Sequence, residues 1–277
     1  MEQKVIEKRL VRVNEAGQEI YVFKIPNSTN DCLEVSNEGC QIQSILIHDK
    51  KRKMYELICG QEKKSIFSSL GKLESNLSKK VWDIAEEGDN YVFFSCECDA
   101  EETGCDCRLK IGVRIMWVNL NRLVLDIYLT PEKDIRYVWG STLLLNPDGE
   151  GKEWKVRSFL PLVDEEMVEK TVFSKQKFGE LPENRETVFS SNSVQEIRPV
   201  LEIDEYKSEL MVSVYSTFSE CRVTKENGEV SLNHTEKIHL KAGESLAERV
   251  IYGFDFPNLD IDGDPKVNPF MMFGLGV

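Results

Sequence analysis

No stretch of the sequence approaches the roughly 18 consecutive apolar residues that a membrane-spanning helix needs. The opening Met1-Glu2-Gln3-Lys4-Val5 has none of the apolar core of an export signal, so a cytoplasmic protein with no membrane partner is the expectation. Basic residues are in deficit, with 35 Lys and Arg against 48 Asp and Glu and a net charge of -13, which repels phosphate backbones and excludes nucleic acid as an expected partner. The chain carries no Gly-rich phosphate loop, no His-Glu-x-x-His helix and no nucleophile elbow. Histidine is scarce, with three in the chain. His48 closes a strand beside Asp49, His234 follows Asn233 in a polar stretch that reads as a turn, and His239 precedes Lys241 by two residues, so all three are expected at surface or edge positions.

What the sequence does have is period-two alternation. Ile111, Val113, Ile115 and Trp117 alternate with Gly112, Arg114, Met116 and Val118. After Asn119-Leu120-Asn121 the pattern resumes at Leu123, Leu125, Ile127 and Leu129, which predicts a hairpin with one face buried. Further strands are predicted over 19–24, 31–36, 41–48, 90–98, 136–145, 210–217 and 246–254, separated by short turn-rich intervals that favour an all-β antiparallel sandwich. A chain of 277 residues, 41% hydrophobic, can bury its core as one domain spanning 1–277. The polar stretch from Glu165 to Ser193 reads as a surface excursion, and the Pro- and Gly-bearing tail beyond Phe254 as irregular, with Asp260-Ile261-Asp262-Gly263-Asp264 a solvated acidic turn.

Several segments, taken in order, resemble the galactose mutarotase (aldose 1-epimerase) family. They are Glu34 to Ile45 around Asn37-Glu38-Gly39, Ile58-Cys59-Gly60, Lys79-Lys80-Val81-Trp82-Asp83-Ile84, Tyr137 to Asn146, Pro161-Leu162-Val163-Asp164-Glu165-Glu166-Met167, and Leu240-Lys241-Ala242-Gly243-Glu244 followed by Val250-Ile251-Tyr252-Gly253-Phe254. The resemblance implies a mutarotase-like antiparallel supersandwich needing no cofactor. It also implies a reaction that opens and recloses a sugar ring, with a base for the anomeric hydroxyl and an acid for the ring oxygen.

The family's functional positions are missing. Where it has a sugar-contacting histidine, the register gives Gly71 in Leu70-Gly71-Lys72-Leu73; where it has its catalytic histidine, the register gives Ser141, a poor acid at neutral pH. The interval from Gln61 to Ser69 is too short for the family's arginine-bearing segment, and its tyrosine-aspartate-histidine segment has no counterpart. The interval from Thr217 to Leu240 is too short for the segment holding the catalytic glutamate, and Glu220, Glu226 and Glu229 read as solvated loop carboxylates. The expectation is a protein without catalytic residues of the family type, acting as a carbohydrate-binding or regulatory module. The alternative is an active epimerase or related sugar isomerase that recruits its acid and base from Glu220, Glu226, Glu229 or His48.

Sugar binding can outlast catalysis. Alternation along one strand places Tyr137, Trp139, Ser141 and Leu143 on one face, where aromatic rings offer plates to a pyranose while Arg136, Arg157 or Ser141 meet its hydroxyls. The same side chains can equally fill the vacated groove, and a protein partner is a further candidate occupant. Separately, Cys96-Glu97-Cys98 and Cys105-Asp106-Cys107 flank a turn-like segment. Paired as a hairpin, they set Cys96 opposite Cys107 and Cys98 opposite Cys105. Free thiols, a Zn²⁺ site on the four sulfurs and cross-strand disulfides are then all open.

Overall fold

The computed structural model describes residues 5–58, 66, 77–103, 106–146, 154–160, 179–190, 196–205 and 209–256. In chain order the strands are β1 (Glu7–Val13), β2 (Glu19–Pro26), β3 (Cys32–Ser36), β4 (Ile42–His48), β5 (Met54–Glu56), β6 (Asp83–Glu87), β7 (Tyr91–Cys98), β8 (Leu109–Val118), β9 (Arg122–Pro131), β10 (Ile135–Leu145), β11 (Trp154–Ser158), β12 (Gly179–Glu180), β13 (Glu186–Ser190), β14 (Arg198–Glu205), β15 (Leu210–Ser216), β16 (Glu220–Glu226), β17 (Glu229–Leu240) and β18 (Leu246–Asp255). A short helical turn, Ala100–Thr103, lies between β7 and β8.

These strands form three sheets. β1 to β5 lie in sequence order, β10-β17-β16-β13 form a second sheet, and β12-β11-β14-β15-β18-β9-β8-β7-β6 form a third of nine strands. Neighbours within each sheet run antiparallel. Direct antiparallel partners share a face, so Phe94, Val113, Ile127 and Tyr252 all project from one side of the large sheet. Both smaller sheets cover that side: Phe94 meets Phe23 of β2 with ring centroids 5.7 Å apart, and Tyr252 meets His234 of β17 at 5.8 Å.

All seven predicted strands and the 111–129 hairpin are present with nearly the expected bounds. Alternation worked because the inward positions are filled without gaps: Ile111, Val113, Ile115 and Trp117, then Leu123, Leu125, Ile127 and Leu129, are all buried. The hairpin turns through Leu120 and Asn121, both left-handed at φ 62° and 52°.

Other expectations fail. The stretch read as a surface excursion contains β13, whose Thr187 and Phe189 are fully buried, and Glu220, Glu226 and Glu229 stand on strands β16 and β17 rather than in a loop.

The Asn37-Glu38-Gly39 segment holds the Lys-Val-Trp strand in place. The Asn37 side chain accepts from the Tyr21 N–H at 2.8 Å and donates to the Glu19 carbonyl at 3.1 Å, while its own carbonyl receives the Trp82 N–H at 2.8 Å. Gly39 sits at φ 66°, and a Cβ there would lie 2.2 Å from the Ser78 carbonyl oxygen, so only glycine fits. The clamp drives the Trp82 indole into the core.

Candidate functional site

Two regions hold a histidine beside groups able to share a proton, and they differ in access. The first is the row that crosses β10, β17 and β16, where Ser141 pairs with His234 and His234 with Cys221. All three point inward. Ser141 is 2% exposed and His234 not at all, so His234 is a core residue and not part of a polar turn. Its ring lies between Phe218 and Tyr252, at centroid distances of 6.0 and 5.8 Å. Neither ring nitrogen has a hydrogen-bond partner among the described residues. Burial alone pushes its pKa down to about 3, so the imidazole is neutral at physiological pH and cannot serve as an acid there.

The residues expected to line a sugar groove divide accordingly. Trp139, Ser141 and Leu143 lie inside the sandwich, and Tyr137 is half-buried against the core. Arg136 is exposed on the opposite face of β10, because successive strand residues alternate. Arg157, on β11, commits its guanidinium to Glu202: Nε donates at 2.8 Å and Nη2 donates to the same carboxylate oxygen. These six side chains therefore present no common surface.

Glu220, offered as a stand-in base, is also occupied. Its Oε2 accepts from Arg222 Nη2 at 2.9 Å and from the Thr235 hydroxyl at 3.1 Å. Burial pushes its carboxyl up, but Arg222 and Thr235 outweigh that and hold it below the usual range. Glu226 is exposed at the end of β16, and Glu229 accepts from the Asn146 amide at 2.9 Å.

The cysteine hairpin is built differently from the expectation. Cys98 pairs with Leu109 and Cys96 with Ile111, so β8 begins two residues past Cys107 and Cys96 does not face Cys107. The helical turn accounts for the shift. Asp99 and Glu102 cap it, the Glu102 carboxylate accepting the Asp99 N–H at 2.9 Å. Cys96 and Cys98 share an inward face with their sulfurs 3.5 Å apart, and Cys107 turns toward the Lys133 carbonyl at 4.0 Å. The described cysteines are free, and among the described residues no group of three or more His, Cys, Asp or Glu side chains is placed to hold a metal. Zinc therefore gains no ligand set here, and Cys105 lies outside the described residues, as do Gly71, Pro161 to Met167 and the tail from residue 257.

The second region is open. A pocket of about 650 Å³ lies at the corner formed by the β2–β3 loop, the β4–β5 loop, the β8–β9 turn and the end of β18. Its base is an interlocked polar turn. Asn27 Oδ1 accepts the N–H groups of Thr29 and Asp31 at 2.9 and 3.0 Å, and Asn27 Nδ2 donates to Asn121 Oδ1 at 2.7 Å. The Asp31 carboxylate, almost fully buried, receives the Thr29 hydroxyl at 2.6 Å, the His48 N–H at 2.8 Å and His48 Nδ1 at 2.7 Å. Burial raises its carboxyl, yet these donors together outweigh burial and hold it below the ordinary value. A carboxylate on Nδ1 places the ring proton there, so the neutral imidazole keeps Nε2 as an acceptor, and the His48 side chain is 27% exposed on the pocket wall.

The other walls are equally fixed. Arg122 bridges the Asp255 carboxylate at 3.0 Å and the Leu120 carbonyl at 2.6 Å. Its guanidinium lies across Gly253, where a Cβ would come within 2.8 Å of it. Asp49 accepts the N–H groups of Lys51 and Lys53 at 2.8 Å each, shaping the loop that carries Lys50 and Arg52. Phe256 closes one side and packs against Tyr55, the rings tilted by 38° with centroids 4.9 Å apart.

No protein-family model and no curated protein matches the chain. Solved structures do. A GalM/aldose epimerase homologue from C. elegans superposes with a TM-score of 0.70 at 13% identity, over 84% of this chain and 98% of its own. Galactose 1-epimerase from Lactobacillus acidophilus gives 0.68 at 11% identity, over 90% and 98%, and a putative mutarotase from Salmonella typhimurium gives 0.56 at 10% identity, over 91% and 95%. The chain has the galactose mutarotase-like fold.

Proposed function

We propose that this protein binds carbohydrate on a mutarotase-like scaffold and performs no ring opening at the β10 position. The observation that carries the reading is the sealed row Ser141–His234–Cys221. A hydroxyl stands at the position the resemblance assigns to an acid, and the one imidazole beside it is neutral and closed off by Phe218 and Tyr252. A sugar hydroxyl cannot reach either group, and general acid–base chemistry requires hydrogen-bond contact with the reacting atom. The fold's likeness to epimerase homologues supports a sugar as ligand. The buried free thiols among the described residues fit a reducing compartment, which supports a cytoplasmic location.

Polarimetry of α-glucose and α-galactose with and without the protein, alongside calorimetric titration with the same sugars, tests the reading. Binding heat at an unchanged spontaneous rate is the expected result. Acceleration would instead identify an active epimerase whose acid and base lie outside this row, and absence of binding would remove the carbohydrate ligand.

A further inference from the structure

The corner pocket has what a small-molecule site requires. Its volume falls within the range of about 300–1,000 Å³ typical of ligand sites, and its polar groups converge from four separate chain segments. We propose that this pocket binds a small polyhydroxylated ring, with His48 Nε2 accepting a ligand hydroxyl and Phe256 lying against the ring's C–H face. The proposal rests on the carbohydrate reading for the identity of the ring and places it here, away from β10.

The pocket favours a polyol for three reasons. First, its carboxylates are already engaged within the protein: Asp31 by Thr29 and His48, Asp255 by Arg122, and Asp49 by its own loop. It therefore offers no uncompensated anion that would demand a cation. Second, Asp31 fixes the His48 ring in one tautomer and orientation before any ligand arrives, the arrangement by which a buried carboxylate makes an imidazole a directed acceptor. Third, Ser28 and Asn30 bring a hydroxyl and an amide to the same space, while Phe256 and Met211 supply apolar surface, the mixture that a ring bearing hydroxyls on an apolar skeleton matches. Backbone conformation points to the same corner. Asn30, Arg52, Leu120 and Asn121 line it and are all left-handed, and residues in left-handed conformations concentrate at ligand sites.

Histidine resonances provide the test, since the chain has three and the other two serve as internal references: His234 in the core and His239 exposed on β17. Protein labelled with ¹⁵N-histidine is titrated with glucose, galactose and myo-inositol, a six-membered polyol lacking an anomeric carbon. Binding is followed in parallel by calorimetry. A saturable shift of the His48 ring signals with at least one probe, and none at His234 or His239, is expected. His48→Phe should weaken that binding about tenfold, the loss of one ligand hydrogen bond. Phe256→Ala supplies a second variant on the opposite wall should His48→Phe fail to fold, and it too should weaken binding. Hexose binding that leaves His48 signals and both variants unchanged would overturn the pocket while leaving the carbohydrate reading intact. A His48 shift with myo-inositol but no hexose binding would keep the pocket and remove the carbohydrate reading. No shift with any of the three would overturn the pocket.

Discussion

His234 and His48 are both strand residues beside a group that could exchange a proton, yet their surroundings assign them opposite roles. His234 is wholly enclosed by Phe218, Tyr252 and the β10–β17–β16 row, with neither nitrogen bonded among the described residues. His48 is part-exposed, with one nitrogen tied to a buried carboxylate and the other left for a ligand. An imidazole next to a hydroxyl is therefore not enough to make a site. Access and an orienting partner decide, and in this molecule they lie at the corner and not at the position the family pattern points to.

Filling the sealed region with aromatic bulk should make it a stability element. Trp139→Ala, which removes a fully buried indole, is expected to lower unfolding free energy by about 3–5 kcal/mol in urea denaturation while leaving sugar affinity unchanged in the folded fraction. A loss of affinity without a loss of stability would break the contrast between the two regions.

A pH series sharpens it further. Because the folded pKa of His234 is depressed to about 3 from an ordinary 6.5, the unfolded state binds a proton that the folded state refuses as pH falls through this window. Protonation of His234 therefore costs the fold nothing above about pH 6.5 and erodes stability progressively below it, with a slope of at most about 1.4 kcal/mol per pH unit. His234→Leu should remove that part of the acid limb and, by eliminating an unsatisfied buried group, leave the protein at neutral pH as stable as the parent or more so. Equal acid sensitivity in both proteins would show that the ring is not enclosed.

Asp31→Asn should act at the other region. It is expected to cost about 1–3 kcal/mol by unbalancing the buried hydrogen bonds to Thr29 and His48, and to weaken ligand binding because His48 loses its fixed tautomer. Denaturation and calorimetry on the one variant read both effects. The smallest effect is expected at Arg136→Ala, within about 0.5 kcal/mol and with unchanged sugar affinity, since Arg136 points away from both regions.

Much of the fold was legible because most inward positions are apolar. β17 was missed for an instructive reason. Val230, Leu232, Ile238 and Leu240 keep the period of two, but His234 and Glu236 occupy the intervening positions, and a polar residue at an inward position reads as a turn. β13 hid in the same way behind the buried Thr187. The cysteine register differs because Asp99, with Glu102 three residues on, starts a helical turn in which the Glu102 carboxylate accepts the Asp99 N–H, where the hairpin expectation has only a turn. Alternation did put Cys96 and Cys98 on one face. There the hydrogen bond from Cys96, opposed by burial and helped by the Lys80 ammonium, pulls the Cys98 thiol below its ordinary value.

The corner pocket was the least legible part. Asp31 and His48 are 17 residues apart, and Asn121 and Asp255 reach them only through the sheet pairing that brings β4, the β8–β9 turn and β18 to one corner. Only the Asn27-x-Thr29-x-Asp31 turn chemistry was local enough to read from sequence.

Polarimetry of α-galactose in the presence of the protein tests the central claim most directly. The account predicts the spontaneous rate, unaltered by stoichiometric or excess protein. Acceleration that Ser141→Ala or His234→Leu abolishes would contradict it, because the enclosed row would then be reaching a sugar.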